Sequence, residues 1–523
     1  MNIKSILLLL SLFYLPTNAQ QRTISVDVNK VKGELSPSYL YCIGAGRANE
    51  GLRADWQAQL KEVQQEIGFK YIRFHGILSD DMGVYFEDQA GTPIYNWQYV
   101  DRLYDFLLTQ NIKPIVELSF MPSALASDDK TVFWWKGNVT PPKDYAKWNG
   151  LITAFVKHLE ERYGKEEVKT WLFELWNEPN HPAFFISNNI EFPNKLDAYM
   201  KLYSETAKAV KLVSTDYKVG GPATSGTAWI SDFIELCVAN NWSVDFVSTH
   251  AYGVKGDGLD EFGTKKLILR PDLDVLPSRV ANSKQDILKS PRPDLPLHFT
   301  EWNTSYSPAD LIHDTYFNAA YILNVLKKSE NEATSMSYWT FTDIFEEAGP
   351  PKTPFHGGFG LINLQDIKKP SYFAYEFLAG LGNKELTTDD QSAIVCKDDK
   401  GNVQALFWNL TNIDFKGSYN NEYFGKEVPA NSIGDVTLKV NNLQPGTYNV
   451  QVYQTGYLVN DAYTKYIQMG SPSQITKAQE KQLKEASENN PVEELTVTIK
   501  DGKFAKTLKI KENDVFFMTM TKM

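Results

Sequence analysis

The sequence predicts an α/β fold: a (β/α)8 TIM barrel followed by a C-terminal β-sandwich. Three observations carry that reading. Eight short apolar runs of β type recur through the first 340 residues. Amphipathic helical patterns lie between them. Past residue 385, alternating strands and turn signals replace both. At 523 residues the chain has room for one large barrel and a smaller domain.

The eight runs are, in order, YLYCIGAG (39–46), FKYIRFHG (69–76), IKPIVELSF (112–120), TWLFELWN (170–177), YKVGGPA (217–223), VDFVSTHAY (244–252), LPLHFTEW (295–302) and SMSYWTFTD (335–343). Two helical stripes illustrate the intervening segments. Val100, Leu103, Tyr104 and Leu107 fall at i, i+3, i+4 and i+7, and so do Ile152, Phe155, Val156 and Leu159. Strands apolar on both faces, alternating with helices, suit a parallel sheet covered on its outside. An open doubly wound sheet is the alternative. It usually carries a glycine-rich phosphate turn after its first strand, and GAGRAN (44–49) lacks the third glycine of that signature. The barrel is placed at 36–385.

The C-terminal strands are SAIVCKD (392–398), VQALFWNL (403–410), DVTLKVNNL (435–443), TYNVQVYQT (447–455), ELTVTIK (494–500), AKTLKI (505–510) and VFFMTM (515–520). DDKGN, QPGT and KDGK divide them, as in a β-sandwich spanning 386–523. A polar segment at 471–490 interrupts the strands, and Ser473 or Thr476 can cap a short surface helix there. TISVDVN (23–29) is also strand-like, and residues 20–35 are expected to join the sandwich.

The first residues, MNIKSILLLLSLFYLPTNAQQ, place Lys4 before an apolar run from Ile6 to Leu15, with Thr17 and Ala19 at −3 and −1 of a cleavage site. This predicts a signal peptide at 1–19, because the run is too short for a bilayer anchor. A buried N-terminal helix is the alternative. No cysteine lies nearby to carry a lipid, and no later segment is long and apolar enough to cross a membrane. The expected location is periplasmic or secreted.

Net charge is −11 with no Lys/Arg run, which argues against nucleic acid and anionic membranes as partners. The 12 Trp, 27 Tyr and 29 Phe fill cores, and they also suit sugar rings, whose C–H faces stack on aromatic planes. Cys42, Cys237 and Cys396 are odd in number and widely spaced, so no disulfide framework is indicated. His181, His298 and His313 show no metal-ligand spacing; no metal or cofactor is assigned. No GxSxG elbow appears.

In a barrel, function gathers where strands end at the C-terminal face. Those ends carry Arg73 and His75, Glu117 and Phe120, Asn177 and Glu178, His250 and Tyr252, Glu301 to Asn303, and Trp339 and Asp343 followed by Glu346 and Glu347. Glu178 closes the apolar run WLFELWNEPN. Desolvation there raises a carboxyl pKa and lets it donate a proton near neutral pH. Glu301, in HFTEWN, ends the seventh strand. Strands four and seven nearly face each other across a barrel mouth, so the two carboxyls can flank one glycosidic bond. Asn177 can hydrogen-bond the sugar 2-hydroxyl. A lone glutamate at a strand end is usually a solvated rim group, and His75 or His250 alone is more often a satisfied core group. The pair on strands four and seven is the specific signal. Arg73 is expected to pair with a barrel carboxylate such as Glu117.

WLFELWNEPN and LHFTEWNTSYSP resemble the acid/base and nucleophile segments of clan A glycoside hydrolases, and of family 39 in particular. YIRFHGILSDDM (71–82), ELSFMP (117–122), STHAYG (248–253), YWTFTDIFEE (338–347) and PFHGGFGLIN (354–363) resemble its β-xylosidase branch. The resemblance covers nearly the whole mature chain. It implies Glu178 as general acid/base and Glu301 as nucleophile. It also implies a sugar pocket lined by His75, Phe120, Asn177, His250, Tyr252, Tyr306, Trp339, Glu346 and Glu347.

That pocket set contains no Lys or Arg to neutralise a uronate, which favours a neutral glycone such as xylose over iduronate. Arabinose-type pentosides stay open. The Pro- and Gly-rich loop 343–358 favours exo-action on an oligosaccharide or glycoside, with an endo-acting glycanase as the alternative. Trp134 and Trp135, in the loop 126–145, either stack on a second sugar or pack the loop. A non-catalytic carbohydrate-binding barrel would lack one of the two carboxylates, and both are present. Homo-oligomerisation is left open.

Overall fold

The computed structural model describes residues 22–187, 192, 194–259 and 265–523. The expected signal peptide lies outside the described residues. Eight strands, β1 (Cys42–Arg47), β2 (Tyr71–His75), β3 (Lys113–Leu118), β4 (Leu172–Leu175), β5 (Lys218–Thr224), β6 (Phe246–Tyr252), β7 (Leu297–Asn303) and β8 (Ser335–Tyr338), close into one barrel. All eight neighbour pairs are parallel, and Tyr338 opposite Ile43 shuts the ring between β8 and β1. Each strand core falls inside a run that the sequence marks as β-type.

The helices form where the apolar stripes predict them. Helix Gln98–Thr109 buries Val100, Leu103, Tyr104 and Leu107. Helix Tyr145–Tyr163 buries Ile152, Phe155, Val156 and Leu159. Its start is fixed by Asp144, whose carboxylate accepts from the Ala146 and Lys147 amides, and Gly164, at φ 84°, ends it. Such helices wrap the barrel and leave its C-terminal mouth free for chemistry.

Besides the shift between Gly44 and Arg47, three register shifts lie toward that mouth. They occur between Pro222 and Thr224, between Thr249 and His250, and between Phe299 and Trp302. A bulge re-aims the side chains beyond it. The second sets His250 opposite Glu301 by skipping Thr300.

The C-terminal region is a sandwich of two sheets. Arg22–Asp27 pairs in parallel with Ser432–Asn441, and Phe504–Lys511 completes that three-stranded sheet. The facing sheet has seven strands, including Val31–Glu34, inside the segment 20–35 expected to join the sandwich, and Lys384–Leu386, which straddles the expected boundary after residue 385. Ile24, Val26, Phe407, Leu438, Val450 and Met518 meet between the sheets. Phe377, on helix Pro370–Ala379, stacks on Phe517 at 5.4 Å and joins the barrel to the sandwich. The helix in the polar segment is Lys477–Glu485. Thr476 caps it and Gln479 reaches back to the Thr476 amide. The three cysteines are buried and unpaired. No described helix is long and apolar enough to cross a membrane.

Candidate active site

The floor of the mouth is built around Arg73 on β2. Its guanidinium is fully buried and pairs with Glu117 of β3 at 2.5 Å, with Glu174 of β4 at 2.9 Å, and with Glu301 of β7. A buried charge is tolerated only when hydrogen-bonded and paired, and a guanidinium offers five N–H groups in a plane to do so. Arg73 Nη2 also donates to Asn177 Oδ1 at 3.2 Å, which leaves the Asn177 amide NH2 free to face a ligand.

Glu178 reaches the mouth through a corner. Trp176 and Glu178 both adopt left-handed backbone, at φ 67° and 45°. Non-glycine residues held there mark a conformation the surroundings impose, and such sites cluster where geometry matters. The surroundings are specific: the Glu178 amide donates to the Ala223 carbonyl at 2.8 Å, and the Trp176 indole donates to the Phe184 carbonyl at 2.7 Å. The apolar run buries the strand, and the turn at Asn177–Glu178–Pro179 brings the carboxyl to His250 and Glu301. Glu178 is only 7% exposed. Burial, and then the negative charge of Glu301, push its pKa well above the carboxylate range.

Glu301 faces it from β7. The Tyr252 hydroxyl donates to Glu301 Oε2 at 2.7 Å while Arg73 holds Oε1. Burial and the Glu301 charge raise the Tyr252 pKa, so the phenol remains a donor. His250 Nδ1 lies 3.0 Å from Glu178 Oε1 and 3.5 Å from Glu301 Oε2. One oxygen of Glu178, one of Glu301 and a His250 nitrogen all fall within 4.8 Å of one another. This trio has the spacing of a metal site, but both Glu301 oxygens and His250 already have protein partners. Carboxyls with oxygens this close favour the short spacing of a double displacement, roughly 5–5.5 Å, over the roughly 6.5–9.5 Å that leaves room for an inverting water.

The family's sequence pattern, that of glycosyl hydrolases family 39, matches residues 22–504. The chain belongs to glycosyl hydrolase family 39. It is 48% identical over 380 residues to a beta-xylosidase of Geobacillus stearothermophilus, covering 71% of this chain and 74% of that one. It is 37% identical over 471 residues to a beta-xylosidase of Caldicellulosiruptor saccharolyticus, covering 89% and 91%. The crystal structure of a monomeric beta-xylosidase from Caulobacter crescentus superposes with a TM-score of 0.92 at 40% identity, covering 96% of this chain and all of that one.

The walls of the family 39 site come from the ends of β2, β3, β7 and β8. His75, at the end of β2, sits 2.8 Å from Glu117 and 3.4 Å from Glu347. Burial alone would lower its pKa, but the Glu117 carboxylate overrides this and holds it up at about 10. Trp339 packs 4.8 Å from the His75 ring, under the Arg73 guanidinium. Phe120 lies edge-on to Trp176 behind His75. Tyr306 is 38% exposed and meets Tyr252 edge-to-face at the rim.

Glu346 departs from the sequence expectation. Its two oxygens pair with Arg47 at 3.0 Å and Arg53 at 2.8 Å, and its amide donates to buried Glu50. The chain turns here, with the Gly349 amide donating to the Glu346 carbonyl, and Glu347 takes the pocket side beside His75 while Glu346 takes the outer side. Of the two loop tryptophans, Trp135 packs against Phe120, Phe133 and Arg47, whereas Trp134 is 59% exposed.

Sequence reasoning missed Glu174, Thr300 and Phe133. Glu174 was the findable one. A carboxylate inside the apolar run LFEL demands a buried cation, and YIRF holds one. Phe133, stacked 6.1 Å from the His75 ring, comes from an irregular loop that carries no periodic signal.

Proposed function

We propose that this family 39 glycoside hydrolase is a retaining, exo-acting β-xylosidase, with Glu178 as general acid/base and Glu301 as nucleophile. The observation that carries the reading is the carboxyl pair within 4.8 Å across the mouth. Glu178 protonates the glycosidic oxygen while Glu301 attacks the anomeric carbon from the opposite face. The C–O bond to the leaving group breaks and a glycosyl ester on Glu301 forms. That ester removes the negative charge that raised the Glu178 pKa, so the ionised Glu178 serves as base. It takes a proton from water, the hydroxide adds to the anomeric carbon, and Glu301 leaves with net retention. Tyr252 and Arg73 hold the Glu301 carboxylate in line throughout.

A neutral glycone follows from the charges at the wall. Glu347 accepts from sugar hydroxyls and repels a uronate. The rim cations Arg47 and Arg53 are already committed to Asp81, Glu346 and Asp55. The Trp134 amide donates to the Glu347 carbonyl at 2.9 Å, which ties the loop 126–145 to the loop 343–358 and supports a pocket closed on one side, as exo-action needs. Export through the N-terminal leader belongs to the same reading, and N-terminal sequencing of protein recovered outside the cytoplasm checks it.

Glu178→Ala with added azide tests the mechanism. Turnover of an aryl xyloside is expected to fall and then recover, with a β-xylosyl azide as product. An α-configured azide contradicts the double displacement. A panel of nitrophenyl pentosides and uronides tests the glycone, and an iduronide outpacing the xyloside overturns that part.

A further inference from the structure

His250 carries more than a wall position. It is fully buried, and it links Glu178 to a chain of groups that runs back to the barrel floor. Arg73 Nε donates to Glu174 Oε2 at 2.9 Å, and Thr300 Oγ1 donates to Glu174 Oε1 at 2.7 Å. Thr300 Oγ1 also lies 3.2 Å from His250 Nε2, and His250 Nδ1 lies 3.0 Å from Glu178 Oε1. The β6–β7 bulge makes the chain possible, because skipping Thr300 in the register turns its hydroxyl to this side.

We propose that Glu174 and Thr300 lock His250 as the Nε2–H tautomer, so that its bare Nδ1 accepts a hydrogen bond from protonated Glu178 and keeps that carboxyl loaded. The proposal rests on Glu178 being the acid/base. The protons are counted one at a time. Burial raises the Glu174 pKa and the Arg73 guanidinium opposes it; held by Arg73 Nε as a carboxylate, Glu174 is an acceptor only, so the single Thr300 proton goes to it. The Thr300 oxygen must then accept, and His250 Nε2 must donate. A neutral imidazole has one N–H, so Nδ1 presents a lone pair to Glu178. Two lone pairs at hydrogen-bond distance repel unless Glu178 supplies the proton.

His250 is kept neutral by its surroundings. Burial and then the positive Arg73 and His75 push its pKa well below the ordinary histidine value. Glu301 of β7, His75 and Arg73 of β2, and Glu347 of the loop after β8 also face Glu178. Burial and the Glu301 and Glu347 charges raise its pKa, while His75 and Arg73 lower it. A cationic or Nδ1–H histidine would add to the lowering side and empty the acid. The locked tautomer prevents this. In the first step the Glu178 proton passes to the glycosidic oxygen and Nδ1 stays bare. In the second, ionised Glu178 faces a lone pair, which makes it a stronger base. The proton taken from water then restores the Oε1–H to Nδ1 bond. Thr300 and Glu174 are positioning residues; neither touches the substrate.

Two measurements test this. The first is the tautomer itself, read from two-bond nitrogen–proton correlations in 15N-histidine-labelled protein. The chain has seven histidines, and a His250→Asn sample identifies the signals to follow. The Nε2–H pattern is expected in the wild type. An Nδ1–H pattern overturns the proposal, because it means the proton enters the chain from Glu174.

The second is Thr300→Val, which keeps the shape and removes the relay. His250 is then free to donate to Glu178. The basic limb of the kcat/KM profile is expected to move down by about one pH unit. Xylobiose hydrolysis is expected to fall by at least about tenfold, and turnover of a dinitrophenyl xyloside by less, because its departure needs little protonation. Thr300→Ser restores the hydroxyl and the wild-type limb. A basic limb that stays in place in folded Thr300→Val, or a Thr300→Ser profile equal to that of Thr300→Val, overturns the relay. If azide does not rescue Glu178→Ala, the acid/base assignment fails instead, whatever the tautomer.

Discussion

The barrel mouth and the sandwich core both bury large numbers of side chains, yet they are built from opposite materials. Ile24, Val26, Val395, Phe407, Leu438, Val450 and Met518 meet between the sheets with apolar contacts alone. The mouth buries Arg73, His75, Glu117, Glu174, Glu178, His250 and Glu301 within a few ångströms of one another. Apolar burial contributes about 25 cal/mol per Å2 without special geometry. A buried ion pair often costs more in lost hydration than it returns. The sandwich is therefore the stabilising material, and the mouth is a concentration of charge that stability alone does not explain.

The largest effect breaks the mouth chemically. Glu301→Gln removes the proposed nucleophile and keeps the shape. Turnover of an activated aryl xyloside is expected to fall by about 10^4-fold or more. A variant that keeps more than about a tenth of the wild-type rate removes Glu301 from that role.

Next comes a matched pair of substitutions. Arg73→Met strands three buried carboxylates, and breaking such a network costs about 3–5 kcal/mol. Phe407→Ala opens a void against Phe516 in the sandwich, at a similar cost of about 3–5 kcal/mol. Both are expected to lower the thermal midpoint by comparable amounts. They separate in activity assayed well below that midpoint: Arg73→Met loses most of its kcat, because Glu301 and Asn177 lose their anchor, and Phe407→Ala keeps it. Equal loss of kcat in the two would erase the distinction between the regions.

The contrast also decides what the sequence reveals. The strands, the helical stripes and the two catalytic-type glutamates are legible because each rests on local pattern: apolar runs, period 3.6, and a carboxylate ending a greasy strand. Arg73 and Glu174 are visible as misfits in apolar runs, but one guanidinium serving three carboxylates depends on the barrel radius, which no local pattern encodes. The pairing of His250 with Glu301 depends on a bulge that skips Thr300. Glu346 and Glu347 are chemically identical neighbours; only Arg47 and Arg53, nearly 300 residues upstream, decide which one faces the pocket. The N-terminal segment splits between two sheets at Arg22–Asp27 and Val31–Glu34, and the second strand has no apolar alternation to announce it.

The smallest effect, on stability against pH, separates the two histidines of the mouth. His75 holds its proton up to about 10 in the folded chain because the Glu117 carboxylate outweighs burial, against 6.5 when unfolded. Between those values the native state binds more protons, so stability falls as pH rises. The contribution is fully present below pH 6.5 and lost by about 10. His250 has the opposite sign. Its folded pKa lies well below 6.5, so its contribution is present above pH 6.5 and lost as pH falls. Thermal midpoints of wild type and His75→Gln at pH 6, 8 and 10 read the first. The gap between the two proteins is expected to narrow steadily with pH. A gap that does not change means that His75 is neutral in the folded state. Arg73 alone would then balance Glu117, and a positive His75 would no longer help keep His250 neutral beside Glu178.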